Sequence, residues 1–490
     1  MPDVPENHSR YGTDLTSGSI PRHLVSFSVP MLIGSALQTA YSLVNALWVG
    51  NRLGPDAMVA VTVSFPILFV LTAVAGGLTM ATTILVSQAY GAKEISDVKR
   101  LIGNSLVLVA AVSVLCLVLG HLAAAPLLRA MNTPPTSLAI AVSYLCLLVW
   151  TVPFTFGTFL FAAVLRGVGD SKTPLYFQAV AVCLSAILDP LLMFGWLGFP
   201  KIGLNGTAYS TIIAQGIGLA ALVYYLHRKQ HLAAVHWRDL RVDWDTSWIT
   251  LKIGVPSMLQ QGMVSIGVII LTSLVNTFGR DGAAAFGFGL RIDQIAFMPS
   301  LTIGMAVSAM AGQNIGAQRF DRVKQVFKWG LVVVVGLTLI PSIMALTIPS
   351  LLMRAFTSDA AVIAIGTKYL RISAFTYIGF AVLFVSNGII NGAGHTMVTT
   401  IFSVVGLWAV RLPLAYYLSH ILLRRIEGIW YAMVLSVSFA ALLSLSCYLS
   451  GYWKRPVRRK HTLPTRRMPQ PVRDDPGAVP ADVRAGRRHR

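Results

Sequence analysis

The sequence predicts an all-α integral membrane protein with twelve transmembrane helices in two pseudo-symmetric six-helix lobes. Three observations carry that expectation. Of its 490 residues 55% are hydrophobic and only 12% charged, with a mean hydropathy of +0.67, too apolar for a soluble chain of this length. Apolar runs of about twenty residues, enough to cross a bilayer as helix, recur roughly twelve times between residues 24 and 452. Finally, residues in the second half repeat those in the first at an offset of 225 positions.

Taken in order, a polar segment (residues 1–23) precedes a first span at 24–49, which contains Pro30 and ends in the turn NRLGPDA. Proline removes a backbone donor, so Pro30 is a candidate bending point. A second span (58–86) leads into the loop SQAYGAKEISDVKR, and the third and fourth occupy 101–122 and 137–165. After the turn RGVGDSKT come the fifth span at 174–196 and the sixth at 204–226. Residues 227–248, with HWRDLRVDWD, read as an amphipathic linker on the inner face. The second lobe takes 249–452, with Pro256 as the partner of Pro30, and 453–490 form a basic, Pro-rich tail expected to be disordered near anionic headgroups.

The repeat carries Gln88, Gly91 and Ala92 onto Gln313, Gly316 and Ala317, and Gly54 and Asp56 onto Gly279 and Asp281. It likewise pairs Val98 and Lys99 with Val323 and Lys324, Tyr144 and Leu145 with Tyr369 and Leu370, and Gly167 and Gly169 with Gly392 and Gly394. Near the repeat ends the shift relaxes, aligning Pro190 with Pro413. Six crossings return the chain to its starting side, so the repeats are parallel and related by an axis along the membrane normal. Two such bundles around a central cavity form a transporter design.

The net charge of +20 would point to nucleic acid in a soluble chain, but its distribution points to a membrane. Alternate loops hold Lys93, Lys99, Arg100, Lys172, Arg228, Lys229, Arg238, Arg241, Arg319, Arg322, Lys324 and Lys328. Counting the tails, roughly 28 Lys and Arg fall on that side against roughly 9 on the other, which places both termini in the cytoplasm. Cys116, Cys146, Cys183 and Cys447 lie in apolar runs without metal-ligand spacing and read as buried small hydrophobes. The polar N-terminus and long first run make an uncleaved signal. The Gly-x-Gly turns lack a preceding strand and a Walker-type lysine, which argues against ATP drive. No cluster of His and carboxylates suits a membrane-embedded enzyme.

Together the stretches VPMLIGSALQTAYSLVNALWVGNRLG, VSQAYGAK, VLRGVGD, ILDPLLMFG, GQNIGAQRFDRVKQ and VRLPLAYYL resemble the multidrug and toxic compound extrusion (MATE) family. The resemblance covers about residues 24 to 450. It implies a plasma-membrane antiporter that exports amphipathic, often cationic compounds by alternating access, driven by inward proton or sodium movement. It implies no cofactor beyond that ion and no nucleic-acid partner; a monomer is expected. The related alternative is a flippase for a lipid-linked saccharide, which would want a more basic cavity than this sequence offers.

The residue that most needs a reason is Asp189, inside the apolar run CLSAILDPLLMF. An intramembrane acid usually faces a water-filled cavity, a partner or an ion path, although a solvated position near the helix end is the plainer reading. Ser185 lies one turn away on the same face and Gln178 further along it. The resemblance matches Ser185 and Asp189 to the family's Asn-x-x-x-Asp pair, adds Tyr144 and Thr207 to the ion-coupling set, and places Asn45 where the family often has an acid. Gln38, Tyr41 and Asn45 share a face of the first span, as Gln261 and Ser265 do on the seventh; such stripes serve equally as substrate contacts or as interhelical hydrogen-bond glue. Arg291 and Asp293 are too close in sequence to face each other on a helix, and read either as structural pairing to another helix or as a substrate or proton role. Arg411 leans toward structure. Tyr41, Phe65, Phe154, Met258, Met263, Phe286, Phe288 and Met298 would suit a promiscuous cavity, though most are expected against lipid or other helices. Since Arg411 occupies the second lobe's twin region, the coupling expectation rests on the first lobe.

Overall fold

In the computed structural model the described residues are 12–236 and 239–455, and among them no strand occurs. Twelve spans follow the predicted order. Spans one to three are Ile20–Arg52, Pro55–Gly91 and Ile95–Ala130. The fourth is broken into Pro135–Val149 and Val152–Gly167, bent by 40° where Pro153 opens the second piece. The fifth and sixth are Lys172–Phe194 and Asn205–Arg228. In the second half the seventh to tenth are Trp244–Asn276, Arg280–Gly316, Phe320–Thr347 and Ala360–Gly392, with a short helix Pro349–Arg354 between the last two. The eleventh begins as α-helix at Thr396–Val404 and passes through two π-helical stretches, Val405–Arg411 and Tyr417–Leu422, around the short helix Leu412–Tyr416. Glu427–Leu449 is the twelfth.

The duplication is visible in the backbone. Gly54 and Gly279 cap the second and eighth spans with φ of 86° and 87°, in the left-handed region that a Cβ disfavours. More telling are Lys93 and Gln318, side-chain-bearing residues held at φ 60° and 58° at matching positions after those spans. Turns after even-numbered spans carry Lys93, Lys229 and Arg319, with Lys172 opening the fifth span, and the side they share is termed the basic end below; turns after odd-numbered spans form the far end.

Many large apolar side chains, among them Leu122, Ile269, Ile295 and Leu442, are exposed, which suits a chain surrounded by lipid rather than water. The linker between the halves is shorter than the sequence predicts, because the sixth span continues to Arg228 and the seventh begins at Trp244. Leu232, Ala233 and Ala234 pack it into the first half's core. At its end Asp243 pairs with Arg100 of the third span and caps the seventh, while the Asp243 amide and Ser247 hydroxyl donate to Asn104 Oδ1 at 2.9 and 3.0 Å. Burial works to raise the Asp243 carboxyl, but the Thr246 hydroxyl and the Arg100 guanidinium outweigh it and hold it below the usual carboxylate range.

One expectation needs correction. Cys183 is exposed rather than buried, and the other cysteines are half-buried; all four are free thiols. Pro30 and Pro256 sit buried inside unbroken helices, so neither marks a break in this conformation. Of the basic tail only Trp453, Lys454 and Arg455 are described; the rest of it, together with Trp237 and Arg238 of the linker, lies outside the described residues.

Candidate functional site

Asp189 lies on the fifth span about 26 Å along the helix from Lys172 and about 8 Å from Phe194, nearer the far end. It is buried, and two hydroxyls from other spans close on it. Tyr41 of the first span donates to Oδ2 at 3.0 Å, and Ser210 of the sixth donates a short bond to Oδ1. Ser185 and Thr211 flank the Tyr41 hydroxyl, and Tyr144 lies beside Thr207 facing the same carboxylate. Five of the sequence-predicted residues, Asp189, Ser185, Tyr41, Tyr144 and Thr207, therefore converge. None of the carboxylate's partners is a cation.

That composition decides the chemistry. A hydroxyl both donates and accepts, so Tyr41 and Ser210 can serve a charged carboxylate as donors and reorient toward a protonated one as acceptors. Equally, hydroxyl and carboxylate oxygens are the ligands a hard cation prefers. A Lys or Arg partner would instead fix the acid in its charged form.

The other predicted first-half residues stay apart from this cluster. Gln178 donates to the Gly34 carbonyl at 3.3 Å, tying the fifth span to the first. Asn45 is half-buried, Gln38 is exposed, and neither side chain makes a hydrogen bond among the described residues. Ser210 was missed by sequence reasoning. The signal was present in TAYST, where Thr207, Ser210 and Thr211 lie on one helical face.

The second half holds its own carboxylate cluster, which the sequence reading undervalued. Asp293, on the eighth span, separates from Arg291, which is exposed and forms no ion pair among the described residues. Instead Tyr369 donates a short bond to its Oδ2, and Tyr377 and Ser373 donate to Oδ1 at 2.6 and 3.4 Å. The three donors stand four residues apart on the tenth span, a stripe legible in KYLRISAFTYIG. Tyr369 is held edge-on against Trp430 and Phe286, with ring centroids 4.7 and 5.8 Å away, and Phe286 is buried in the second half's core. Arg411 donates from Nε to Ser436 Oγ of the twelfth span at 2.8 Å. Gln261 is exposed, and Ser265 bonds only to the carbonyl one turn back.

Comparison with known proteins agrees with this architecture. The MatE family profile matches the chain twice, at residues 30–191 and 256–417, once in each half. A probable multidrug resistance protein of Bacillus subtilis strain 168, YoeA, is 32% identical over 444 residues, covering 89% of this chain and 95% of its own. A second from the same organism, YpnP, is 33% identical over 441 residues, covering 90% and 97%. Among solved structures, a MATE transporter of Vibrio cholerae superposes with a TM-score of 0.83 at 24% identity, over 90% of this chain and 99% of that one.

Proposed function

Because the chain belongs to the MatE family of membrane transporters, we propose that it is an antiporter exporting amphipathic, often cationic compounds in exchange for protons or sodium ions. Both termini face the cytoplasm of a bacterial plasma membrane, and the basic end is the inner one by the positive-inside rule. A single observation carries the coupling role: a buried intramembrane carboxylate, Asp189, ringed by hydroxyls from two other spans and without a basic partner. Such a group can load a proton or sodium ion when its lobe faces outward and release it when the lobe faces inward, provided the two loaded states favour different conformations.

In this scheme Asp189 carries the coupling ion, while Tyr41, Ser210 and Ser185 stabilise whichever form is present. Tyr144 and Thr207 form the wall of the same pocket. Gln38, Asn45, Gln261 and Ser265 supply polar contacts along the two paired first helices, and Pro30 and Pro256 are the points at which those helices bend during exchange. The test is dye efflux from vesicles holding the purified protein, under separately imposed proton and sodium gradients. Asp189→Asn, which keeps the shape and removes the titrating group, is expected to abolish gradient-driven efflux while inserting normally. Wild-type efflux rates in that variant would sink the assignment.

A further inference from the structure

The two halves meet through a pair of hydrogen bonds that obey the internal repeat. Gln88, near the end of the second span, donates from Nε2 to the carbonyl of Gly392 at 2.7 Å. Its repeat equivalent Gln313, near the end of the eighth, donates from Nε2 to the carbonyl of Gly167 at 2.9 Å. Gly167 and Gly392 are themselves repeat equivalents and the last residues of the fourth and tenth spans. Each glutamine thus reaches across to cap a helix C-terminus in the opposite half, where carbonyls lack helical donors. The turns that present those carbonyls are the same in both copies: Gly169 and Gly394 donate back to Arg166 and Asn391, and Asp170 and His395 to Leu165 and Ile390.

Close backbone contact repeats the pattern. A Cβ on Gly91 would lie 1.9 Å from the Gln313 carbonyl oxygen, and one on Gly316 would lie 2.0 Å from that of Gln88. Hydrogen bonds from Asp243 and Ser247 to Asn104 also sit at the basic end. Residues 12–18 are laid over the same seam. The Leu15 amide donates to Gln313 Oε1, Arg319 and Arg322 donate to the Thr16, Ser17 and Gly18 carbonyls, and Gly12 and Thr13 abut Val168 and Gly169 of the other half.

We propose that Gln88 and Gln313 are a crossed latch that closes the basic end, with residues 12–18 as a strap over it, and that opening toward the cytoplasm requires both glutamines to release their glycine carbonyls. Both partners of each bond would then face water, which can replace the bond, so the latch is reversible. The two cross-half bonds are equivalent by the repeat, but Gln313 also accepts from the Leu15 amide of the strap, so its side chain contributes more than that of Gln88. The latch takes its role from the alternating-access reading above, but its test reads conformation directly.

Spin labels at Lys99→Cys and Lys324→Cys, exposed and in opposite halves, report the separation of the basic end by electron–electron distance measurement in lipid. The background is full-length protein with the four native cysteines replaced. Gln88→Ala is expected to raise the ratio of long to short distances by roughly fivefold, Gln313→Ala by more because it also frees the Leu15 amide, and the double variant by roughly thirtyfold or more. Gly91→Ala and Gly316→Ala, which wedge the seam by pressing on the backbone of Gln313 and Gln88 and leave both glutamine side chains in place, should shift it the same way. Gln260→Ala, which loses a bond to Ser403 inside one half, should not. An unchanged distribution in the wedge variants and in the folded double variant overturns the latch, as does an equal shift from Gln260→Ala. If the double variant fails to fold, the wedge variants decide alone. Absence of gradient-driven efflux in the wild type would instead count against the antiport reading and leave the resting distances to judge the latch.

Discussion

Asp189 and Asp293 solve one physical problem with different parts of a duplicated frame. Each is an intramembrane carboxylate satisfied by hydroxyls without a cation, and each has the repeat-equivalent tyrosine nearby, Tyr144 in the first half and Tyr369 in the second. Yet the first acid comes from the fifth span and the second from the eighth, which corresponds to the second span of the first half. The fifth span is regular helix; its counterpart, the eleventh, is π-helical around Arg411 and holds no acid. Duplication has therefore kept the backbone while relocating the charge. The donors differ too. Asp189 is served by two different spans, so relative motion of the first, fifth and sixth changes its surroundings, whereas all three donors to Asp293 sit on one rigid helix and move together. That contrast casts Asp189 as the responsive group and Asp293 as the fixed one.

The largest effect should separate the two acids. Asp189→Asn is expected to abolish coupling with little loss of stability, because the amide oxygen still accepts one of the two hydroxyls and the amide NH2 donates to the other, which can turn to accept. Asp293→Asn should do the reverse. Losing charge-assisted acceptance of three hydroxyls costs about 2 kcal/mol, read as a lower melting temperature in detergent, with gradient-driven efflux retained in the protein that survives. Equal loss of coupling in both variants would show that the second half carries an ion as well and would erase the distinction.

A smaller effect sharpens the same contrast through the hydroxyls. Tyr41→Phe removes one of two donors to the responsive acid, worth about 1 kcal/mol or roughly fivefold in the balance between its ion-loaded and empty forms. The pH or sodium concentration at half-maximal efflux should shift accordingly. Tyr377→Phe removes one of three donors to the fixed acid and should leave that midpoint in place while lowering thermal stability. Arg411→Lys, which loses the Nε donor to Ser436, should likewise cost about 1 kcal/mol of stability without moving the midpoint.

These contrasts also mark what the sequence could convey. The spans, their order and the duplication were legible because bilayer thickness imposes a length and the repeat an offset, and Lys93 and Gln318 show that the offset extends to backbone conformation. Asp189 with Ser185, Tyr144 and Thr207 was legible because an acid in an apolar run is costly and the family resemblance supplied its neighbours. Ser210 was not, since serines are common in these spans and only packing shows which one meets the carboxylate. For Asp293 the sequence left pairing to another helix and a substrate or proton role open, because it does not show that the partners on the tenth span are hydroxyls rather than a cation. The crossing of Gln88 and Gln313 to opposite halves could not be read at all, because the repeat predicts that the two are equivalent but says nothing of what they touch.

The smallest effect concerns a contact that exists once because the chain has one linker. Arg100 and Asn104 receive Asp243 and Ser247 on the third span, and the repeat places Gln325 and Trp329 at the matching positions of the ninth, where no linker arrives. Arg100→Gln makes the first half resemble the second at this point. Because Arg100 is partly exposed, the loss should stay under about 1 kcal/mol, seen as faster amide hydrogen exchange at the start of the seventh span. The sign of the pH dependence follows from Asp243, whose carboxyl is held below its ordinary value of 3.8 in the folded protein. Its contribution is complete above that ordinary value and is lost as pH falls through the lower folded value. Wild type and variant should accordingly differ at neutral pH and converge in acid, where a protonated Asp243 no longer distinguishes arginine from glutamine. A difference that persists unchanged below the folded value would assign the protection to the Asn104 bonds rather than to the ion pair.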